Sequence, residues 1–303
     1  MSLQLICLNA VLRASAKPYM RRVAAPEQLR KDMERWSRLF LRDAPSTVAL
    51  PLTLGDRPAL SVRSGKITPD VAILHLHGGA FVAGSPTTHK GMLSRLSRLA
   101  AVEVFAPDYR LAPEHPFPAG LNDAEAAFAD LVAKGYAPGR IVLSGDSAGA
   151  GLALSLLARL CKAGTPPAGL IAMSPWTDLT GASPSIVLIE ERDPMLAAER
   201  MEEVTGYYLN GHRADDPAVS PLYASYPDCP PVLLQTSERD ILRDDAMRLE
   251  HKLRDAKVDV TLQLFPDAPH AWQMFDGLIP EARAALRDAG DFARRCLSLP
   301  ARN

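Results

Sequence analysis

The chain has 303 residues, 47% of them hydrophobic, enough for a sizeable buried core and within the length that one α/β unit reaches. With 34 basic and 35 acidic residues its formal net charge is −1, so no bulk field points to nucleic acid or to an anionic membrane as a partner. Cys7, Cys161, Cys229 and Cys296 are scattered, with no CxxC pair and no short Cys/His cluster. That pattern argues against a metal, a metal cofactor or a disulfide framework, and for free thiols in a reducing cytoplasm.

Residues 3–12 are apolar, but no basic segment precedes them, Asn9 interrupts them and Arg13 follows. They predict an amphipathic helix lying on the protein or touching a lipid surface, not a signal peptide or a stable membrane insertion. Leu29, Met33, Trp36 and Phe40 recur at helical spacing and give a second helix an apolar face. Runs at 47–54 and 59–63 flank Gly55-Asp56 and read as an antiparallel hairpin.

From residue 71 the rhythm changes. Strand candidates at 71–77, 102–108, 140–144, 170–174, 231–236 and 258–265 are rich in Val, Ile and Leu and mostly lack alternation, as in strands covered on both faces. Helical faces lie between or after them: Met92, Leu93, Leu96 and Leu99; Leu152, Leu156, Leu157 and Leu160; Ala246, Leu249 and Leu253; Ala285, Leu286, Ala289 and Phe292. Such alternation predicts an α/β fold, a mostly parallel sheet flanked by helices.

Residues 177–222 break the rhythm with polar turns and one helix near 196–209. The expected division is an N-terminal helical cap segment at 1–45, an α/β domain in two parts at 46–176 and 223–303, and a cap insertion at 177–222 between them. Ile186, Val187, Leu188, Ile189, Met195 and Leu196 of the insertion are expected to meet Leu29, Met33, Trp36 and Phe40 over a pocket of limited depth.

Gly145-Asp146-Ser147-Ala148-Gly149 has the pattern G-x-S-x-G, directly after a strand and opening a helix. The serine of such an elbow needs a sharp, strained turn that lifts its hydroxyl clear of the sheet, and small neighbours where strand and helix pass closely. His77-Gly78-Gly79-Ala80 also follows a strand. Acyl transfer passes through an oxyanion that needs N–H groups already aimed at it. Gly78, Gly79 or Ala80, together with Ala148 after the nucleophile, would supply them, while His77 orients the loop.

Asp240 and His270 each lie just past a late strand, giving the chain order Ser147, Asp240, His270. His270 would take the serine proton and return it to the leaving group. Asp240 would hold the imidazole's tautomer and stabilise the imidazolium. Glu238, Asp244 and Asp245 are rivals to Asp240 but read as solvated turn or helix-start carboxylates. His75 is expected to be buried in its strand, and His89, His115, His212 and His251 to be surface or structural.

Together with Asp108-Tyr109-Arg110-Leu111-Ala112-Pro113-Glu114-His115-Pro116-Phe117-Pro118-Ala119 and Ser174-Pro175-Trp176-Thr177-Asp178-Leu179, these motifs resemble the hormone-sensitive-lipase-like family of bacterial esterases, of the α/β-hydrolase superfamily, over about residues 70–275. The Asp146-containing elbow is similar to one of its two main subgroups. The resemblance implies a serine carboxylesterase acting on short to medium acyl esters through an acyl-enzyme, a helical cap, no cofactor and, in many members, a homodimer. Residues 271–275 also look like members described as terpene-lactone hydrolases, so a lactone is an alternative small-molecule substrate. A second alternative is a non-catalytic, ligand-binding member, a type that lacks the histidine found here at 270. One departure stands out: the family commonly has a third glycine where this chain has Ala80.

Overall fold

The structure, a computed structural model, describes residues 1–23 and 25–301. Three helices open the chain: α1 Leu3–Ala14, α2 Ala16–Arg22 and α3 Pro26–Phe40. The hairpin follows, β1 Thr47–Leu54 and β2 Arg57–Ser64. Gly55 and Asp56 both hold positive φ, 55° and 64°, which a type I′ turn requires.

The remaining strands are β3 Ala72–Leu76, β4 Glu103–Pro107, β5 Ile141–Asp146, β6 Gly169–Met173, β7 Val232–Ser237 and β8 Val260–Phe265. The helices among and after them are α4 Pro86–Ala100, α5 Ala119–Ala133, α6 Ser147–Lys162, α7 Ser185–Leu188, α8 Met201–Leu209, α9 Arg243–Asp255 and α10 Pro280–Cys296. Among the described residues these eight strands form one sheet in the order β1-β2-β4-β3-β5-β6-β7-β8. β2 runs antiparallel to β1 and β4, and every other pair is parallel. The predicted fold class is the observed one.

The unbroken apolar runs have a simple cause. Ile73, Val142 and Ile171 enter a core with Met92, Leu93 and Leu96 of α4 and Leu286 and Phe292 of α10. Their neighbours Leu74, Leu143 and Leu170 enter a second core, with Leu121 of α5, Leu156 of α6 and Leu253 of α9. Strand residues alternate between two apolar layers, so the sequence shows no alternation. β8 departs from that expectation because it is an edge strand: it is only partly covered, and Leu264 is exposed.

A third apolar cluster lies outside both layers. Leu29, Tyr19, Met20 and Met33 of the N-terminal helices join Leu196, Tyr208 and Leu209 of the insertion, and all pack on Phe81, Trp176 and Ile241. Not every residue expected there takes part. Val187 and Leu188 are 80% and 76% exposed, and Phe40 is 65% exposed. α7 is a single short turn whose buried side is Ser185 and Ile186, so its next two side chains turn outward.

The insertion is fastened to α9 by polar groups. Asp245 accepts the N–H groups of Thr177 and Asp178 at 2.6 and 2.8 Å and the Ser183 hydroxyl, while Arg248 pairs with Asp178 at 2.6 Å. Asp245 is therefore fully buried instead of solvated. Asp244 also has a structural task, accepting the Ser185 N–H at 2.9 Å. Only Glu238 of the three is an exposed turn carboxylate.

Candidate active site

Ser147 stands between β5 and α6 with φ 53°, in the left-handed region that costs an L-residue about 1 kcal/mol. The flanking glycines are required by contact. A Cβ on Gly149 would lie 2.2 Å from the Leu76 carbonyl oxygen, and one on Gly145 would lie 2.5 Å from that of Gly149. The elbow thus presses strand, turn and helix together, and Ser147 borders a cavity of about 70 Å³. Ala80, Trp176, Leu196 and Ile241 line it, as does Met20 of α2.

Asp240 and His270 follow β7 and β8, at the same sheet edge as Ser147 because β5 to β8 are parallel. Both are buried, and the His270 Nδ1 to Asp240 Oδ2 distance is 2.9 Å. Burial alone would lower the His270 pKa, but the charge and hydrogen bond of Asp240, helped by Asp193 and Asp146, raise it above its ordinary value. The other Asp240 oxygen accepts the Leu242 N–H at 2.9 Å. The histidine loop is tied down on three sides. Ser237 donates to the Ala268 carbonyl at 2.6 Å, Ala271 N–H donates to Ser174 Oγ at 3.1 Å, and Asn9 of α1 donates to the Asp267 carbonyl at 2.9 Å.

The His77–Ala80 loop is held by its backbone. Gly79 has φ 123° and its carbonyl accepts the N–H groups of Val82 and Ala83. Gly78 N–H donates to Asp146 Oδ1 at 3.0 Å, so that N–H is already engaged. Ala80 has φ 55°, a conformation that favours glycine. His77 stacks on Tyr109 with ring centroids 4.3 Å apart, and the Tyr109 hydroxyl donates to the His77 carbonyl at 2.6 Å. Burial pushes the His77 pKa down to about 3, so its ring is neutral. The Asp108–Pro116 run thereby braces the loop, and Arg30 of α3 strengthens it by bonding the carbonyls of Val82 and Ala112 at 2.7 Å each.

Sequence reasoning missed Asp146 as a buried hub. Its carboxylate faces His75 Nε2 and His89 Nε2, each at 3.3 Å, besides the Gly78 N–H. Burial alone would raise its pKa, but the charge and hydrogen bond of His89, with the His75 imidazole close by, hold it well below the carboxylate range. His89, expected to be surface or structural, is buried, and Asp146 raises its pKa against the effect of burial. The pairing of β3 with β5 sets His75 beside Ser144, a placement that strand pairing could have revealed. His115, His212 and His251 are exposed. Among the described residues no group of three or more His, Cys, Asp or Glu side chains could hold a metal ion, and no helix is long and apolar enough to cross a membrane.

A family profile described as alpha/beta hydrolase fold matches residues 73–274. An acetyl-hydrolase of Streptomyces hygroscopicus is 39% identical over 223 residues, 73% of this chain and 75% of that protein. An esterase of Acinetobacter venetianus is 34% identical over 94% of both chains. Among solved structures, EstE5 superposes with a TM-score of 0.94 at 34% identity, covering 98% of this chain and all of that one. An esterase from the bacterial hormone-sensitive lipase family superposes with a TM-score of 0.92 at 35% identity, covering 98% and 99% of the two chains. The chain belongs to the α/β-hydrolase-fold family, among its hormone-sensitive-lipase-like esterases.

Proposed function

We propose that this enzyme hydrolyses short-chain carboxylic esters through an acyl-enzyme on Ser147, with His270 as general base and Asp240 as its orienting acid. The observation that carries the reading is the buried 2.9 Å His270–Asp240 contact at the sheet edge that also bears the strained Ser147. In this mechanism His270 Nε2 takes the Ser147 proton as Oγ attacks the ester carbonyl. The imidazolium then gives that proton to the departing alkoxide, and a water repeats the sequence to free the acid. Because Gly78 N–H is engaged by Asp146, the oxyanion donors are Gly79, Ala80 and Ala148.

The N-terminal segment 1–45 and the insertion 177–222 act as one cap, since Met20 and Leu196 border the same cavity. A cavity of about 70 Å³ favours the short end of the expected short to medium acyl range. The name of the Streptomyces relative, acetyl-hydrolase, agrees with that preference.

A panel of p-nitrophenyl esters from C2 to C12 tests the reading, with Ser147→Ala as control. kcat/KM should peak at C2 to C4, and its acid limb should lie above pH 6.5 because His270 must be neutral and its pKa is raised. A peak at C10 or beyond, or a limb well below 6.5, would contradict the proposal.

A further inference from the structure

Asp193 is a fully buried carboxylate that the mechanism above leaves unused. It sits in the insertion, within Arg192-Asp193-Pro194-Met195. One oxygen accepts the N–H groups of Met195 and Leu196 at 2.8 and 2.9 Å. The other accepts the N–H of Ile241, the residue after Asp240, at 3.1 Å. Its main-chain carbonyl accepts Lys17 Nζ of α2 at 2.9 Å, and the same ammonium bonds the Glu190 carbonyl. One residue thus joins the N-terminal helices, the insertion and the loop of the catalytic acid. Leu196 and Ile241, two of its three N–H donors, both line the cavity at Ser147.

A strap that only joined backbone segments would need acceptors, and a neutral amide or hydroxyl could serve in part. A carboxylate beside another carboxylate is a costly choice. Burial raises the Asp193 pKa, and the Asp240 charge raises it further, to about 6, against the pull of the N–H bonds and of His270. The charges around it are Asp240 and His270 toward the site and Lys17, Arg13 and Glu190 on the cap side. Lys17 is turned to carbonyl oxygens, Arg13 bonds the Arg192 carbonyl, and Glu190 pairs with Arg21. The negative charge of Asp193 adds to that of Asp240 in favouring the His270 imidazolium.

We propose that Asp193 is a positioning residue for ester hydrolysis: it fixes the Asp240 loop against the cap and sets a second negative charge behind His270, so that cap seating and the basicity of the general base are linked. The inference rests on the assignment of Ser147, Asp240 and His270. Protonation of Asp193, or its displacement with the cap, weakens the field that supports the imidazolium in both half-reactions.

Asp193→Asn in the full-length chain tests it, because asparagine is isosteric and uncharged. kcat should fall about tenfold with KM within about twofold, and the acid limb of kcat/KM should move down by about half a pH unit. A residue that merely held the fold would lower thermal stability and leave the limb in place, and that result overturns the proposal. Should the variant not fold, the wild type supplies the reading by itself. The low-field proton on His270 Nδ1 should then titrate in two steps, one of them near pH 6, and a single step overturns the proposal. Organophosphate labelling of wild-type Ser147 keeps the premises separate: if that serine is not labelled, the triad assignment has failed, whatever Asp193 does.

Discussion

Asp146 at the elbow and Asp245 beneath the insertion are both fully buried carboxylates, yet their surroundings drive them in opposite directions. Asp146 faces two imidazoles and is held well below the carboxylate range. Asp245 faces only neutral donors, the N–H groups of Thr177 and Asp178 and the Ser183 hydroxyl. Burial outweighs them, with the Asp178 charge adding to it, and its pKa rises to about 6. At Asp245 neutral hydrogen bonds do not offset the desolvation, whereas at Asp146 an opposing charge keeps the carboxylate ionised into mild acid. The Asp146 carboxylate that braces the elbow therefore stays ionised in mild acid, whereas the joint of the insertion loses or gains a proton there.

The largest test of the ionic side concerns the proposed triad. Ser147→Ala and His270→Ala should each lower kcat by roughly four to six orders of magnitude, and the double variant should be scarcely worse than either. Asp240→Asn should cost about 10⁴ through the wrong tautomer, while Glu238→Gln should be near neutral because Glu238 is exposed. Steady-state kinetics on a C4 ester, with circular dichroism to establish folding, decide it. Near-native turnover by a folded Ser147→Ala enzyme would break the assignment.

Next in size is Asp146→Asn. It leaves His89 without its counter-charge and weakens the acceptor that holds Gly78. Stability should drop by about 3 kcal/mol, as when one partner of a buried ion pair is removed. kcat should fall between tenfold and a thousandfold, because the proposed oxyanion loop loses its anchor. Urea unfolding and kcat measured together separate the effects, and a variant of unchanged stability would mean that His89 does not hold a charge there.

How much of this was legible in the sequence follows from what each residue depends on. The sheet was readable because strand residues such as Ile73 and Leu74 must feed two apolar layers, so composition alone marks them. The Ser147, Asp240 and His270 loops were identifiable as candidates because α/β sheets gather chemistry at the carboxyl ends of their strands. Asp193 and Asp146 were not, since their partners come from segments as remote as α2 and α4 and no local spacing encodes them. Val187 and Leu188 misled for a related reason: an apolar pair in a short turn does not reveal which way it points.

The neutral side of the comparison is tested by pH. Asp245 has a folded pKa above its unfolded value near 3.8, so its protonation contributes stability below about pH 4 that is lost as the pH rises through 6. Asp245→Asn removes that dependence. The variant should be the worse relative to wild type at pH 4, and the gap should narrow by up to about 3 kcal/mol by pH 7. Unfolding curves at both pH values measure it, and taking the difference cancels the other titrating groups. A gap that widens with pH would show that the hydroxyl and N–H donors do keep Asp245 ionised.

The smallest effect belongs to Ala80, which borders the cavity. Its φ of 55° is a conformation glycine adopts freely and alanine only at a cost of about 1 kcal/mol. Ala80→Gly should relieve that strain, although the more flexible unfolded chain gives back part of the gain. The net change should be a rise of about 0.5 kcal/mol or less, a shift of roughly one or two degrees in Tm for a chain of this size. The donor N–H is untouched, so kcat on acetate and butyrate esters should stay within about twofold. What should change is access, because the methyl group stands at the cavity wall beside Ser147. Esters of bulky tertiary alcohols should gain several-fold in kcat/KM relative to the primary ester. If the tertiary-to-primary ratio is unchanged while Tm rises, the alanine strains the loop without shaping the cavity.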